Sequence, residues 1–560
     1  MIRLDLTAGG VLAPEHLRRL DALAADNIGT FNAMIAEAGR DHAHDIDWWV
    51  SRPASRNVFV SPLFNRCMQL LLIQELLSRR ETVEVLTDDG AFARTLRDMR
   101  SPNLAVSYRR TPLARLRPLL GALHNIASAL FHTAAAAIAA NRTRPTPDPL
   151  GQTPLTVVDV FVLRDSVTDG VFRDRYFPGL LDGLDEAARK GFCYMPTFYR
   201  IRDYHALFKA LRAQKTPFLF QQDHLKPSDY VFAFGYWLRA GKLGRDPVRF
   251  AGVRVDAMVR ADLAAGRFAQ SVIPALLSWR FWSRKRDSGL NVTRVIDWYE
   301  GQDLDHAQAA AINWSDRKIA LTGFMPACSR FELSVTPAAH EIAAGVVPRT
   351  MAVTGEGFCR EVARTNPDLH TMTAPGLRYR RLAALQPAGD GRGILVALPL
   401  AAPAIAGIRD LIVPAMNGTA RWWLKRHPAM PRAEIERLFG PLPANCEFVE
   451  GDFYDWLPKA SLVIGLESSA LLEAIAIGVP AICAARGNIP TKIPFPDWAD
   501  RGLWRVCYDT PELQAAVREL ATDVRGDADS AGLRQNLLSP ATDASKRAFL
   551  EAVDDRAVTI

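Results

Sequence analysis

Short runs of β-branched and aromatic residues recur along the chain at intervals that leave room for a helix between them. In the first half, Asn57-Val58-Phe59-Val60, Thr82–Leu86, Thr156–Val162, Pro217–Phe220, Arg294–Trp298 and Lys318–Leu321 read as buried strands. Apolar residues three and four apart predict helices over Cys67–Arg79 and Asp203–Ala213. The second half restarts the alternation. Its strand candidates are Thr350–Val353, Gly393–Leu398, Ala420–Leu424, Cys446–Val449, Leu462–Ile464 and Ala481–Cys483, with helices over Arg432–Phe439, Ser469–Ile477 and Pro511–Leu520. Strand–helix alternation builds parallel sheets with helices on both faces, and 560 residues are too many for one core. The pattern predicts an α/β protein of two open Rossmann-like domains facing a cleft, 1–345 and 346–560, joined by a crossover at Thr336–Pro348.

One segment breaks the alternation. From Pro118 to Ala140 no residue is formally charged, and Arg115, Arg117 and Arg142 flank the stretch. It is long enough to cross a bilayer. It is also alanine-rich and carries His124, Asn125, Ser128, His132 and Thr133, while Leu116, Leu120, Leu123, Ala127, Leu130 and Ala134 form one helical stripe. The expectation is a helical insertion over about 105–145, interfacial or buried, closed by the proline-rich linker 140–154. Trp279-Arg280-Phe281-Trp282-Ser283-Arg284-Lys285-Arg286 mixes aromatics with cations and is a second candidate for contact with an anionic membrane.

Composition narrows the function. Hydrophobic residues at 49% and charged residues at 23% are a globular balance. A net charge of +7 and a pI near 9.1 suit anionic ligands or an anionic membrane surface, and no dense Lys/Arg tract points to nucleic acid. Seven scattered cysteines without C-x-x-C spacing argue for reduced thiols and against a zinc site or a disulfide framework. Residues 1–7 lack a basic region followed by an apolar core, so no secretory leader is expected. These features predict a cytoplasmic protein, peripheral at the inner face of the cytoplasmic membrane.

The candidate chemistry sits at predicted strand ends, where open α/β sheets bind ligands. Lys425-Arg426-His427-Pro428 offers cations and an imidazole that can neutralise phosphate and donate a proton, and Pro428 holds His427 extended. Gly465-Leu466-Glu467-Ser468-Ser469 opens a helix that ends at Gly478-Val479-Pro480. Ser468 and Ser469 there fit both an N-cap and a phosphate seat. Glu473, in the first turns, can reach a ribose hydroxyl, and Glu467 is expected to face sugar hydroxyls or a basic partner. Val353-Thr354-Gly355-Glu356-Gly357 follows a predicted strand, and Gly355 is a candidate for a tight turn beside a ligand. Asp88-Asp89-Gly90 reads as a simple turn. No metal-ligand constellation stands out, and no cofactor is expected.

The run Glu473–Ile482 resembles the donor-domain helix and strand of glycosyltransferases with the GT-B fold. The His427-Pro428 and Ser468-Ser469 pairs resemble motifs of bacterial polysialyltransferases and of the Kdo transferases of capsule and lipopolysaccharide. Trp48-Trp49-Val50-Ser51 and Arg56–Leu63 also look like a large group of bacterial surface-carbohydrate biosynthesis proteins. The resemblance to the transferases covers mainly residues 290–490. It implies a metal-independent transferase that moves a sugar, from a CMP-activated acidic donor such as Kdo, or from UDP- or dTDP-sugars, onto a surface-polysaccharide, O-antigen or lipid-linked acceptor. Those families carry an acidic motif on the acceptor side, matched here by Asp297-Trp298-Tyr299-Glu300-Gly301-Gln302. Tyr299 stands where the polysialyltransferase form has its first acidic residue, so the general base is Glu300 or Asp297; Gly301 would let substrate approach the backbone. A nucleotide-sugar epimerase or hydrolase on the same fold, and a non-catalytic assembly subunit, are the alternatives.

Overall fold

The computed structural model describes the chain apart from residues 110–116, 146–149, 151–153, 200, 286–288, 316–317, 327–335, 389–392, 417–419, 522–526 and 555–560. Three all-parallel sheets carry it. The first holds β1 (Ile2–Asp5), β2 (Val83–Thr87) and β3 (Leu104–Tyr108), in that order. The middle sheet holds β4 (Leu155–Val162), β5 (Phe192–Phe198), β6 (Val292–Trp298), β7 (Ala320–Met325), β8 (Thr350–Thr354) and β9 (His370–Ala374), in the order β9-β8-β7-β6-β4-β5. The third holds β10 (Gly393–Ala397), β11 (Trp422–Lys425), β12 (Cys446–Val449), β13 (Ala460–Gly465), β14 (Ala481–Ala484) and β15 (Trp504–Cys507), in the order β12-β11-β10-β13-β14-β15. Both six-stranded sheets are doubly wound: strand order reverses between β4 and β6 in one and between β10 and β13 in the other.

Four expectations change here. Strand β8, assigned to the second half by the alternation, joins the middle sheet through β7 and is followed there by β9, so the sheet boundary falls between Ala374 and Gly393 instead of at 345. Asn57–Val60 is a turn, because the Asn57 side chain accepts from Phe59 N at 2.9 Å and its carbonyl from Ser61 N at 2.9 Å, closing an Asx turn that competes with strand pairing. The predicted strand Pro217–Phe220 makes a single bridge, Tyr194 to Phe218. The insertion is shorter than drawn, since 104–108 is β3 and the helix spans Arg117–Thr143, taking in the first residues of the predicted linker; residues 146–149 and 151–153 of that linker, like Leu116, lie outside the described residues.

The basic-aromatic stretch is not a membrane contact. Phe281 and Trp282 are buried in the core, Arg280 and Arg284 bond the buried Asp229 at 2.8 and 2.6 Å, and Lys285 is buried against Val292 O. Asp229 drew these cations inward; Arg286 lies outside the described residues. Asp89 caps the helix Gly90–Asp98 and, with Asp88, pairs with Arg66, which accounts for the Asp-Asp-Gly turn.

The first unit bridges the other two. Asn488 Nδ2 donates to Asp5 O and Thr7 O, Tyr508 OH to Asp21, and Leu12 N to Gly487 O, tying it to the third sheet. Toward the middle unit, the buried Arg56 guanidinium, on a residue at φ 55, grips Glu341 through Nε at 2.9 Å and Nη2 at 2.5 Å. Glu341 in turn accepts from Ala338 N at 2.7 Å, and His306 Nε2 lies 3.2 Å from it. Burial pushes the Glu341 carboxyl up, but Arg56 and His306 outweigh it and hold its pKa at about 2. With the folded value below the unfolded one, the stability this pair contributes is full above the ordinary carboxylate range and disappears as pH falls toward 2. Arg56→Met is therefore expected to lose about 3–5 kcal/mol in urea unfolding near neutral pH. The deficit relative to the parent should shrink as the pH is lowered from 4.5 toward 2.

Candidate functional site

The carboxyl edge of the third sheet brings three chain exits side by side. Ala397 at the end of β10 is in register with Lys425 on one side and Gly465 on the other. The loops that follow Lys425 and Gly465 are thus two strand spacings apart, about 10 Å, a span that a nucleotide phosphate group can bridge. Past Lys425, His427 is exposed. Its Nδ1 accepts from Ala429 N at 3.2 Å, so the neutral ring carries its proton on Nε2 and presents a free donor. Desolvation by the surrounding loop still lowers its pKa, which favours that neutral form. Lys425 is buried at the strand end, where desolvation lowers its pKa against the pull of Glu450. Arg426 is spent on its own loop: Nη1 donates to Met430 O at 3.0 Å and Nη2 to Glu450 at 3.3 Å. It shapes the turn that carries His427, and the direct ligand contact expected of it is not what its hydrogen bonds serve.

After β13, Ser468 caps the helix Ser469–Ala476 by accepting from Ala470 N at 3.2 Å. Ser469 Oγ donates to Glu473 Oε1 at 3.1 Å, and Tyr454 bonds the same carboxylate. Burial raises the Glu473 pKa, with those two bonds and Arg378 opposing. Glu467 finds a basic partner, Lys492, at 2.8 Å, and Lys492 Nζ also lies 3.8 Å from the Phe59 ring centroid. A loop of the first unit thereby touches the carboxyl edge of the third sheet.

Across the cleft, β6 ends at the other reversal of strand order. Glu300 is held on both oxygens: Oε1 accepts from Trp298 Nε1 at 2.8 Å and Oε2 from Gln302 Nε2 at 2.6 Å, leaving a second lone pair on each. Asp305 accepts from the backbone of Glu300 at 2.9 Å and of Gln302 at 2.8 Å, which curls the loop, and Gly301 supplies the left-handed residue at φ 64. Asp297, the other candidate base, is 2% exposed and accepts from Gln308 Nε2 at 3.1 Å inside the sheet. Burial first, and the neighbouring Asp305 and Asp159, push its pKa well up. It is enclosed away from the cleft.

The residue that joins the two sides is Arg378, in the turn Leu377–Ala384 that links the middle and third sheets. It lies within electrostatic reach of both Glu473 and Glu300, and 5.9 Å from the ring of Tyr176. Tyr176 stacks obliquely on Trp298 at 4.1 Å, the same indole that bonds Glu300. The sequence reading missed Arg378 and Tyr176. The signal available was the run Arg378-Tyr379-Arg380-Arg381 directly after Pro375-Gly376. Gly355 belongs elsewhere: it follows β8 of the middle sheet at φ 92, and a Cβ there would meet Leu537 O at 2.4 Å. Its glycine serves close packing against the end of the helix Asp527–Leu538, in place of the ligand contact expected of it.

Beside the Glu300 loop a cavity of about 390 Å³ is lined by Ser51, Arg52, Asn57, Asn125, Gln270 and Gln302, among others. Asn57 Nδ2 reaches Glu300 O at 3.4 Å, so cavity and loop share a wall.

Each six-stranded sheet thus carries candidate chemistry at the carboxyl edge beside its reversal of strand order, where open parallel sheets bind ligands. No protein-family model and no curated protein sequence matches the chain. Among solved structures it is similar to UDP-GlcNAc 2-epimerase from Neisseria meningitidis bound to UDP-GlcNAc, at 11% identity and TM-score 0.39, covering 72% of this chain and 100% of that one. It is similar to MurG from Acinetobacter baumannii at 11% identity and TM-score 0.38, with the same coverages of 72% and 100%. The wall teichoic acid polymerase TagF aligns at 8% identity and TM-score 0.35 over 80% of this chain and 99% of its own.

The curled loop yields a prediction. Gly301→Ala places a Cβ in the left-handed region, a strain of about 1–2 kcal/mol, and should displace Glu300 without unfolding the sheet. Thermal unfolding should fall by only a few degrees, roughly as that energy implies, while any activity that depends on Glu300 drops much further.

Proposed function

We propose that the chain is a glycosyltransferase that binds a nucleotide sugar at the carboxyl edge of the third sheet and passes the sugar to an acceptor on the middle-sheet side. The observation that carries this reading is the cleft itself. Glu300, fixed by two donors, follows one reversal of strand order, Lys425, His427 and the helix behind Ser468 follow the carboxyl edge of the other sheet, and Arg378 lies within electrostatic reach of Glu300 and of Glu473. Lys425, His427 and the N–H groups beside Ser468 suit the donor phosphate. Glu473 suits a ribose hydroxyl, with Ser469 and Tyr454 orienting it. Glu300 is positioned to take the proton of an acceptor hydroxyl as it attacks the anomeric carbon, and the enclosed position of Asp297 favours Glu300 over it as base. The proton goes to Glu300, the new glycosidic bond forms, and the bond to the phosphate oxygen breaks while His427 Nε2–H and Lys425 stabilise the leaving charge.

A CMP-linked acidic sugar is the donor favoured by the His427-Pro428 and Ser468-Ser469 pairs, and a surface-polysaccharide or lipid-linked glycan is the acceptor. Thermal shifts with CMP, UDP, GDP and dTDP identify the nucleotide, since a ligand that binds only the folded state raises the transition. A shift with none of the four would remove the donor assignment and favour an assembly subunit. Conversion of a nucleotide sugar without acceptor would favour an epimerase or hydrolase.

Two substitutions test the roles. His427→Ala should weaken binding of the matching nucleotide by about 1.5–3 kcal/mol, the worth of a charge-assisted hydrogen bond, with an unchanged unfolding curve; titration calorimetry measures the difference. Glu300→Gln should keep nucleotide affinity while transfer slows on the order of a hundredfold or more. Near-parental turnover in that variant would remove Glu300 as the base.

A further inference from the structure

The helix Arg117–Thr143 is built inside out. Its inward positions Ala129, Ala136, Ala139 and Ala140 are small and buried, whereas Leu120, Leu123, Leu130, Phe131 and Ile138 are all at least 50% exposed. At 100° per residue, positions 120, 123, 127, 130, 131, 134 and 138 fall in one arc of about 100°. A helix packed on a soluble core turns its large apolar side chains inward, so this one presents its apolar face to something outside the domain. The stretch Leu119–Thr143 is long and apolar enough to cross a bilayer, yet the helix is pinned along its length. Asn125 accepts from Gln270 at 3.2 Å, His132 meets Tyr204 OH at 3.3 Å, and Arg212 Nε donates to Thr143 Oγ1 at 3.0 Å. A span would have to break all three.

Charge identifies the occupant. Among the side chains described in 99–147, Arg100, Arg109, Arg142 and Arg144 are exposed cations, the last two at the end of the helix, and the stretch holds no Asp or Glu. A second copy docked face to face would bring two such fields together with no acid between them. An anionic lipid surface offers what this face lacks: apolar depth for the leucines and phosphates for the arginines.

We infer that the outward face of this helix seats on an anionic bilayer, with the helix axis in the membrane plane, and that the cavity behind the helix receives the head of an acceptor embedded in that bilayer. Asn125, on the side of the helix turned away from that face, and Gln302 of the Glu300 loop line the same cavity, so a head group that reaches behind the helix arrives beside Glu300. The acceptor step rests on the transferase reading; the seating of the helix does not.

Flotation of the full chain tests it, with vesicles of phosphatidylcholine alone or with one-third phosphatidylglycerol. The parent protein should float with the anionic vesicles, sink with the neutral ones, and be released by high salt. Leu123→Asp combined with Phe131→Asp should lower partitioning by roughly tenfold or more, with the unfolding curve and the nucleotide-induced shift unchanged. Should that variant fold poorly, Arg142→Glu with Arg144→Glu replaces it and should abolish the preference for anionic vesicles. The inference is overturned by absence of flotation, by variants that float like the parent, by retention through an alkaline wash, which means a span, or by a dimer that the double variant dissolves. Flotation with no transfer to any lipid-linked acceptor would leave the seating intact and remove the acceptor step.

Discussion

Everything in the cleft depends on a constraint of parallel pairing. Strands joined by crossover helices all end on the same edge of their sheet, and at a reversal of strand order the loops leave in opposite directions and open a crevice. This chain has two such points, between β4 and β6 and between β10 and β13. Glu300 follows one, and Ser468 with Glu473 follows the other. The turn that links the two sheets delivers Arg378 between them.

The first unit adds to this frame instead of standing apart. Its Arg56 side chain enters the middle unit to meet Glu341, and its Asn57 and Phe59 reach the Glu300 loop and Lys492. Arg56 is 1% exposed in its side chain and Glu341 0%, a charge pair that would be costly if either member were alone. The turn 57–60 is therefore anchored one residue away by a buried ion pair, and its exposed ring stands at the cleft.

Electrostatics in the cleft follow from the same geometry. Among the described residues, Arg378 is the cation placed within electrostatic reach of both Glu473 and Glu300. Lys425 is a cation with its charge partly desolvated, a costly state that a bound phosphate would relieve. Outside the cleft the +7 net charge is not spread evenly: residues 99–147, which include the inverted helix, hold exposed arginines and no Asp or Glu.

The central strands β2, β4, β6, β7, β8, β10, β11, β13 and β14 were legible because strands covered on both faces must be near-continuous apolar runs. The strands that went unread, β1, β3, β5, β9 and β15, are all sheet edges. Edge strands carry polar residues and breaks such as Pro196 within β5, so the period vanishes. His427, Ser468, Glu473 and Glu300 could be picked out because strand-end position and residue chemistry are local properties. What local pattern cannot hold is partnership. Whether Arg426 meets a ligand or its own loop, whether Asp297 or Glu300 faces the cleft, and whether the Trp279–Lys285 aromatics turn out or in were each decided by a distant residue: Glu450, Gln308 and Asp229. The helix 117–143 shows the same division. Its stripe was readable from spacing alone, but that the stripe faces outward follows only from the alanines that tertiary packing chose to bury, because a period states that a helix has two faces and not which one the core takes.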